Sequence, residues 1–196
     1  ATLGTDTGNA GTSVPLQYYN GTSWVDYTAS SYVQIASTGT TLLVRTAITN
    51  DTVSDNNETF KLVATNTGGT STPDTQGVAT LKDDGTGSKY LGTNTTGTAD
   101  STGPGSGFDD DRALSINNIT VNEGSPYAVF TVTGAAGQYV QLSLTNTSST
   151  SDTDATLGTD TGNAGTSVPL QYYNGTSWVD YTASSYVQIA STGTTL

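Results

Sequence analysis

The side chains able to do chemistry in this chain are almost all carboxylates. Asp and Glu number 17, Lys and Arg five, and there is no His and no Cys. The acids fall into clusters: Asp51–Glu58 (DTVSDNNE) with Asp51, Asp55 and Glu58; Asp83 with Asp84; Asp109, Asp110 and Asp111; and a lone Glu123. Asp6 and its counterpart Asp160 sit in a Gly-rich turn, GTDTGNAG. Oxygen donors on turns suit a hard divalent cation, above all Ca2+, which takes roughly six to eight oxygens in flexible geometry. Converging carboxylates without a cation repel by about a few kcal/mol per close pair at an effective dielectric near 20. Such clusters are therefore either neutralised by metal or spread in solvent as ordinary Asp/Asn turns. Catalysis is not expected. Without His and Cys the commonest general base and several nucleophile arrangements are missing. A glycosidase pair would draw largely on Asp, because Glu58 and Glu123 are the only glutamates.

What must position these acids is a repeat. Residues 1–42 recur letter for letter as residues 155–196, an offset of 154. A fixed period of this kind marks a tandem array. The chain reads as one period plus the start of the next, so each end falls inside a domain. Near-identical copies in a row serve length or repeated presentation of a surface, which points to a structural or adhesive role.

The elements are strands. The chain holds 41 Thr, 11 Tyr and 23 Gly; Thr and Tyr favour pleated, half-buried strands, and Gly, Asn and Asp supply turns. No stretch carries apolar residues at helical spacing over three turns. Strands are expected at 116–121, 127–132, 139–144, 168–173, 178–181 and 186–190, continuing in the front copy with 42–48, 59–64 and 78–81. Asn174-Gly175 signals a hairpin between Tyr173 and Trp178. The fold expected is all-β, an antiparallel β-sandwich of the Ig-like kind. Residues 1–88 would hold the later strands of one repeat and 114–196 the earlier strands of the next. Between them, 89–113 reads as a Gly/Thr/Ser-rich linker with an acidic end.

Four of these pieces resemble the Calx-β family. Val121-Asn122-Glu123-Gly124 is similar to its entry motif, and Asp160–Gly165 (copied at Asp6–Gly11) to its DGTAxAG turn, one residue shorter. Asp51-x3-Asp55-x2-Glu58-Thr59-Phe60-x-Leu62 resembles its D-x3-E-x2-E-x-F-x-L segment, with Asp at the middle acid. Leu81-Lys82-Asp83-Asp84 resembles its closing acidic strand end. The resemblance implies that Glu123, Asp160 or Asp6, Asp51, Asp55, Glu58, Asp83 and Asp84 converge on calcium at one end of the sandwich. Asp109–Asp111, just before the first strand of a domain, would hold an interdomain ion. Acidic, Thr-rich, Cys-free repeats in tandem also resemble the extender regions of giant bacterial RTX-type adhesins. That likeness implies an extracellular, cell-surface location and a role in biofilm attachment.

A net charge of −12 repels nucleic acid and anionic lipid, so neither is an expected partner. No run of about 18 apolar residues is present, so no membrane insertion is expected. The expected partners are neighbouring identical repeats, with strand complementation or domain swapping between copies because each end cuts a domain. The alternative reading is a carbohydrate-binding module that stacks sugars on the Tyr172–Tyr181 hairpin around Trp178. Those aromatics equally serve as cross-strand pairs.

Overall fold

A computed structural model describes residues 1, 3, 7, 15–55, 57–67, 75–145, 155–158, 160–162 and 169–190. Among them there is no helix, and every strand pair is antiparallel. The chain divides into two units, Ala1–Gly103 and Pro104–Leu196.

The first unit is built on a hairpin, β1 (Gln17–Tyr19) with β2 (Trp24–Asp26), joined on its β1 side by β3 (Val44–Arg45). The register Tyr19↔Trp24 leaves a four-residue turn, Asn20–Ser23. Asn20 sets it: its side-chain oxygen accepts from Thr22 N and Ser23 N, both at 2.9 Å. Gly21 takes φ +96°, a region costly for any residue with a Cβ. Thr7 bridges Ile48 and is buried.

A second hairpin, β4 (Thr59–Ala64) with β5 (Thr75–Thr80), runs in register from Thr59↔Thr80 to Ala64↔Thr75. Strand β4 coincides with its expected span. A third hairpin, β6 (Ser88–Lys89) with β7 (Ser101–Thr102), falls within the stretch that composition reads as linker.

That stretch is organised by Asn94. Its side chain accepts from Gly97 N at 3.0 Å and donates to Thr98 O at 2.6 Å and to Asp100 Oδ2 at 2.8 Å. Asp100 Oδ2 also accepts from Leu91 N at 2.7 Å. Gly97, at φ +75°, lies so close to Leu43 that an added Cβ would sit 2.9 Å from Leu43 Cδ2. Polar, Gly-rich composition describes what the backbone can do; here Asn and Asp side chains bond it into a defined loop. The division at 103/104 falls just after this loop.

The second unit carries β8 (Ser115–Ile116) paired with β9 (Val132–Thr133), and β10 (Tyr139–Val140) paired with β13 (Val187–Gln188). Between them in sequence, β11 (Gln171–Tyr173) and β12 (Trp178–Asp180) form a hairpin. These strands are shorter than the sequence suggests, two or three residues each. The described residues form one three-stranded and five two-stranded sheets. The core of the second unit is Val132, Val140, Tyr181, Val187 and Ile189. Gln138, buried beside them, is satisfied by donating to Arg112 O at 2.7 Å and accepting from Ala135 N at 2.9 Å. Gly134 is pressed into this core: a Cβ there would fall 2.6 Å from Gln138 Oε1, Ile189 Cδ1 and Leu114 Cδ2.

Candidate functional site

In the first unit the loops that carry Asp51–Glu58 and Asp83–Asp84 lie at one end of β4–β5. Asn57 N donates to Leu81 O at 3.0 Å, and Leu81 N to Glu58 O at 2.8 Å, so the ladder carries the 51–58 loop beside 81–84. Asp55 N donates to Asp83 Oδ2 at 3.2 Å, which brings those two residues together. Asp51 turns back onto its own loop, accepting from Val53 N at 2.7 Å.

Positive or donor groups already attend several of these acids. Lys82 Nζ donates to Asn57 Oδ1 at 2.6 Å and lies 3.7 Å from Asp84 Oδ2. Asp84 also accepts from Thr86 N at 3.1 Å and from the Thr86 hydroxyl. The Ala1 amino group is 3.1 Å from Glu58 Oε1. Asp6 lies outside the described residues.

The remaining candidates are in the second unit. Asp110 is held by Arg112 through Nε at 2.8 Å and Nη2 at 2.6 Å, a fork that already neutralises it. Asp109 and Asp111 are half-buried. Glu123 is exposed in a turn closed by Asn122, whose Oδ1 accepts from Gly124 N at 2.9 Å. Asp160 closes a local turn, its Oδ2 accepting from Thr156 N at 2.8 Å. Among the described residues no three acids gather as a metal would require. The set implied by the resemblance is divided: Asp51, Asp55, Glu58, Asp83 and Asp84 lie in one unit, Glu123 and Asp160 in the other.

The aromatic hairpin occurs twice, with the same geometry. Tyr19 and Trp24 have ring centroids 5.5 Å apart, and Tyr173 and Trp178 5.6 Å. Gln17 and Gln171 each donate to the facing Asp at 2.7 Å. The surroundings differ. In the first unit Arg45 lies over the Trp24 ring at 4.2 Å, donates from Nε to Gln17 Oε1 at 2.8 Å and from Nη1 to Gly92 O at 2.8 Å. Trp24 Nε1 donates to Asn94 O at 3.1 Å. In the second unit Trp178 is 52% exposed.

A cleft of about 550 Å³ opens in the first unit between the hairpin, at Tyr18 and Tyr19, and the segment Tyr32–Ala36. Arg45, Asn94 and Asp100 are the residues that sequence reasoning passed over. The turn signals at Asn94 and Gly97 were visible, but the contact of the Asn94 carbonyl with a Trp seventy residues earlier was not.

No family model matches the chain, and neither a curated protein nor a solved structure matches it.

Proposed function

We propose that this chain is a spacer repeat, one period of a tandem array of β-sandwich domains that holds a distal binding region away from a bacterial cell surface. The observation that carries the reading is the 42-residue segment present twice at an offset of 154. It builds the same hairpin in both units, down to the Asn side chain that sets the turn. An array needs such a locally specified module, because every copy must fold beside near-identical neighbours without confusion of register.

Calcium enters this proposal through the divided acidic set. The 51–58 and 81–84 loops share one end of β4–β5, while Glu123 and Asp160 belong to the other unit. A repeat that joins both halves would bring the oxygens of each to one ion, whose charge would offset the carboxylate repulsion that otherwise opposes their approach. Ion binding at domain ends would stiffen the array and keep it extended.

The Trp24 environment supports the spacer reading over a carbohydrate platform. Where residues 43–103 follow the hairpin, Arg45 covers the indole face and Asn94 occupies its N–H. Trp178, which has no Arg over its ring among the described residues, is 52% exposed.

The test is the solution dimension of arrays of two, four and six periods, measured by small-angle X-ray scattering with millimolar calcium. A maximum dimension that grows in proportion to the number of periods is expected. Growth closer to the cube root of mass would mean that the repeats collapse on one another, and the spacer reading would fail.

A further inference from the structure

Because residues 1–42 and 155–196 are identical, differences in their surroundings come from the rest of the chain. The clearest lies just after the hairpin. In the second unit Val187–Gln188 pairs with Tyr139–Val140. Ile189 N donates to Gln138 O at 2.8 Å, and Ile189 O accepts from Gly137 N at 3.0 Å, leaving Ile189 0% exposed. Its twin Ile35 is 49% exposed, and no described residue bonds its backbone. Tyr32 is also exposed, and the open cleft runs beside it.

Two further faces are bare. The β4–β5 hairpin exposes Val63 and Val78 on one side and Leu62 on the other, and the residues around β8–β9 expose Ile116, Val129 and Phe130. Antiparallel layers with apolar side chains on a face are stable when another layer covers them.

We propose that copies of this chain complete one another: the 114–145 segment of one copy takes Val33–Ile35 of a second copy in place of its own Val187–Ile189. The two segments are identical, so the exchange reproduces the β10–β13 pairing residue for residue, the contacts of Val33–Ile35 replacing those that Val187–Ile189 give up. The receiving unit already has Arg45 over Trp24 and carries the β4–β5 hairpin. On the composite, one copy of the 42-residue segment has both Arg45 over its Trp and the Tyr139–Val140 strand beside Val33–Ile35. A foreign strand has no such match to Tyr139–Val140. This is exchange of an identical element between copies, and because it joins a first unit to a second unit it is heterologous and extends into chains. The net charge of −12 opposes it, so association strengthens as salt screens the repulsion. The inference rests on the duplicated segment and not on calcium or the cell surface; its failure leaves the spacer reading standing.

The native chain has no Cys, so engineered disulfides report without background. Tyr139 and Gln188 are register partners, and Gln34 is the twin of Gln188. Chains carrying Gln34→Cys and Tyr139→Cys are mixed, oxidised and run without reductant. A cross-linked heterodimer is expected on the gel, and the sedimentation mass of the native chain should rise with concentration from 20.0 kDa through about twice that and beyond. Ile35→Lys, an exposed position whose change leaves folding intact, should abolish both. A single chain with Tyr139→Cys and Gln188→Cys is the control that the oxidation closes a true neighbour pair. The proposal is overturned if the control closes and no interchain link forms. It is equally overturned if a Gln34→Cys/Tyr139→Cys chain closes on itself with an unchanged monomer mass at every concentration.

Discussion

Arg45→Ala should destabilise the first unit and uncover Trp24, while the identical hairpin of the second unit serves as an internal reference. The guanidinium sits 4.2 Å from the indole centroid, worth about 0.5–1 kcal/mol at a partly exposed site. Its two hydrogen bonds, to Gln17 and Gly92, add about 0.5–1.5 kcal/mol in total once the exposed bond to Gly92 is discounted. The expected loss is about 2 kcal/mol. At a urea slope of about 2 kcal/mol per molar the midpoint falls by roughly 1 M. The chain has two Trp, so Trp178→Phe leaves Trp24 as the reporter. In that background Trp24 emission should lie to the blue of Trp178 emission measured in Trp24→Phe. Adding Arg45→Ala should move it toward the Trp178 value. Arg45→Lys should recover only part of the loss, since an ammonium cannot span Gln17 and Gly92 in one plane. If Arg45→Ala leaves both the midpoint and the emission of Trp24 in place, the docking of the 88–102 loop on the hairpin is wrong.

Three further outcomes are expected. Gly134→Ala should cost the second unit about 1–3 kcal/mol, because the new methyl overlaps Gln138, Ile189 and Leu114; a thermal melt by circular dichroism reads it, and an unchanged midpoint would mean the core is looser than described. The Leu91 N–H, and after it the Asn94 side chain, hold the Asp100 carboxyl below its ordinary pKa. A depressed carboxyl contributes stability that is present above its unfolded pKa, near ~4, and is lost as pH falls through the lower folded value. Asp100→Asn should therefore flatten the acid limb of the first unit's stability curve below about pH 4 while leaving its shape at pH 7 alone; an acid limb identical to wild type would remove Asp100 from the loop's anchoring. Finally, at an affinity near 10⁻⁴ M, ~10 mM calcium should add about 2.7 kcal/mol over chelator to a multi-period array, read as a rise in melting temperature. Asp55→Asn with Asp83→Asn should remove most of that rise, and a transition indifferent to calcium would end the metal part of the proposal.

Turns and strand type were legible in the sequence because they depend on a few adjacent residues. Asn20 and Asn174 close their turns by bonding two and three residues ahead, and Gly21 and Gly175 supply the positive φ. The ends of the hairpin strands at Tyr173 and Trp178, and with them the four-residue turn between, were legible as well, and the pairing of Tyr173 with Trp178 agrees with them. The Gly/Thr stretch after Gly85 reads as linker by composition, which does not register the Asn94–Asp100 bond. The acidic clusters were visible one by one. Which of them meet depends on the β4–β5 register and on the boundary at Gly103, neither of which local spacing encodes.

The duplicated segment separates the two kinds of information within one molecule. Forty-two identical residues make the same hairpin, the same Asn-capped turn and the same Tyr hydroxyl bond to the backbone four residues on, from Tyr27 to Ser31 and from Tyr181 to Ser185. Short-range hydrogen bonds and backbone sterics decide these, and they travel with the sequence. Burial does not travel. Ile35 is exposed where Ile189 is not, and Trp178 where Trp24 is covered, because hydrophobic burial is a property of what the rest of the chain brings alongside.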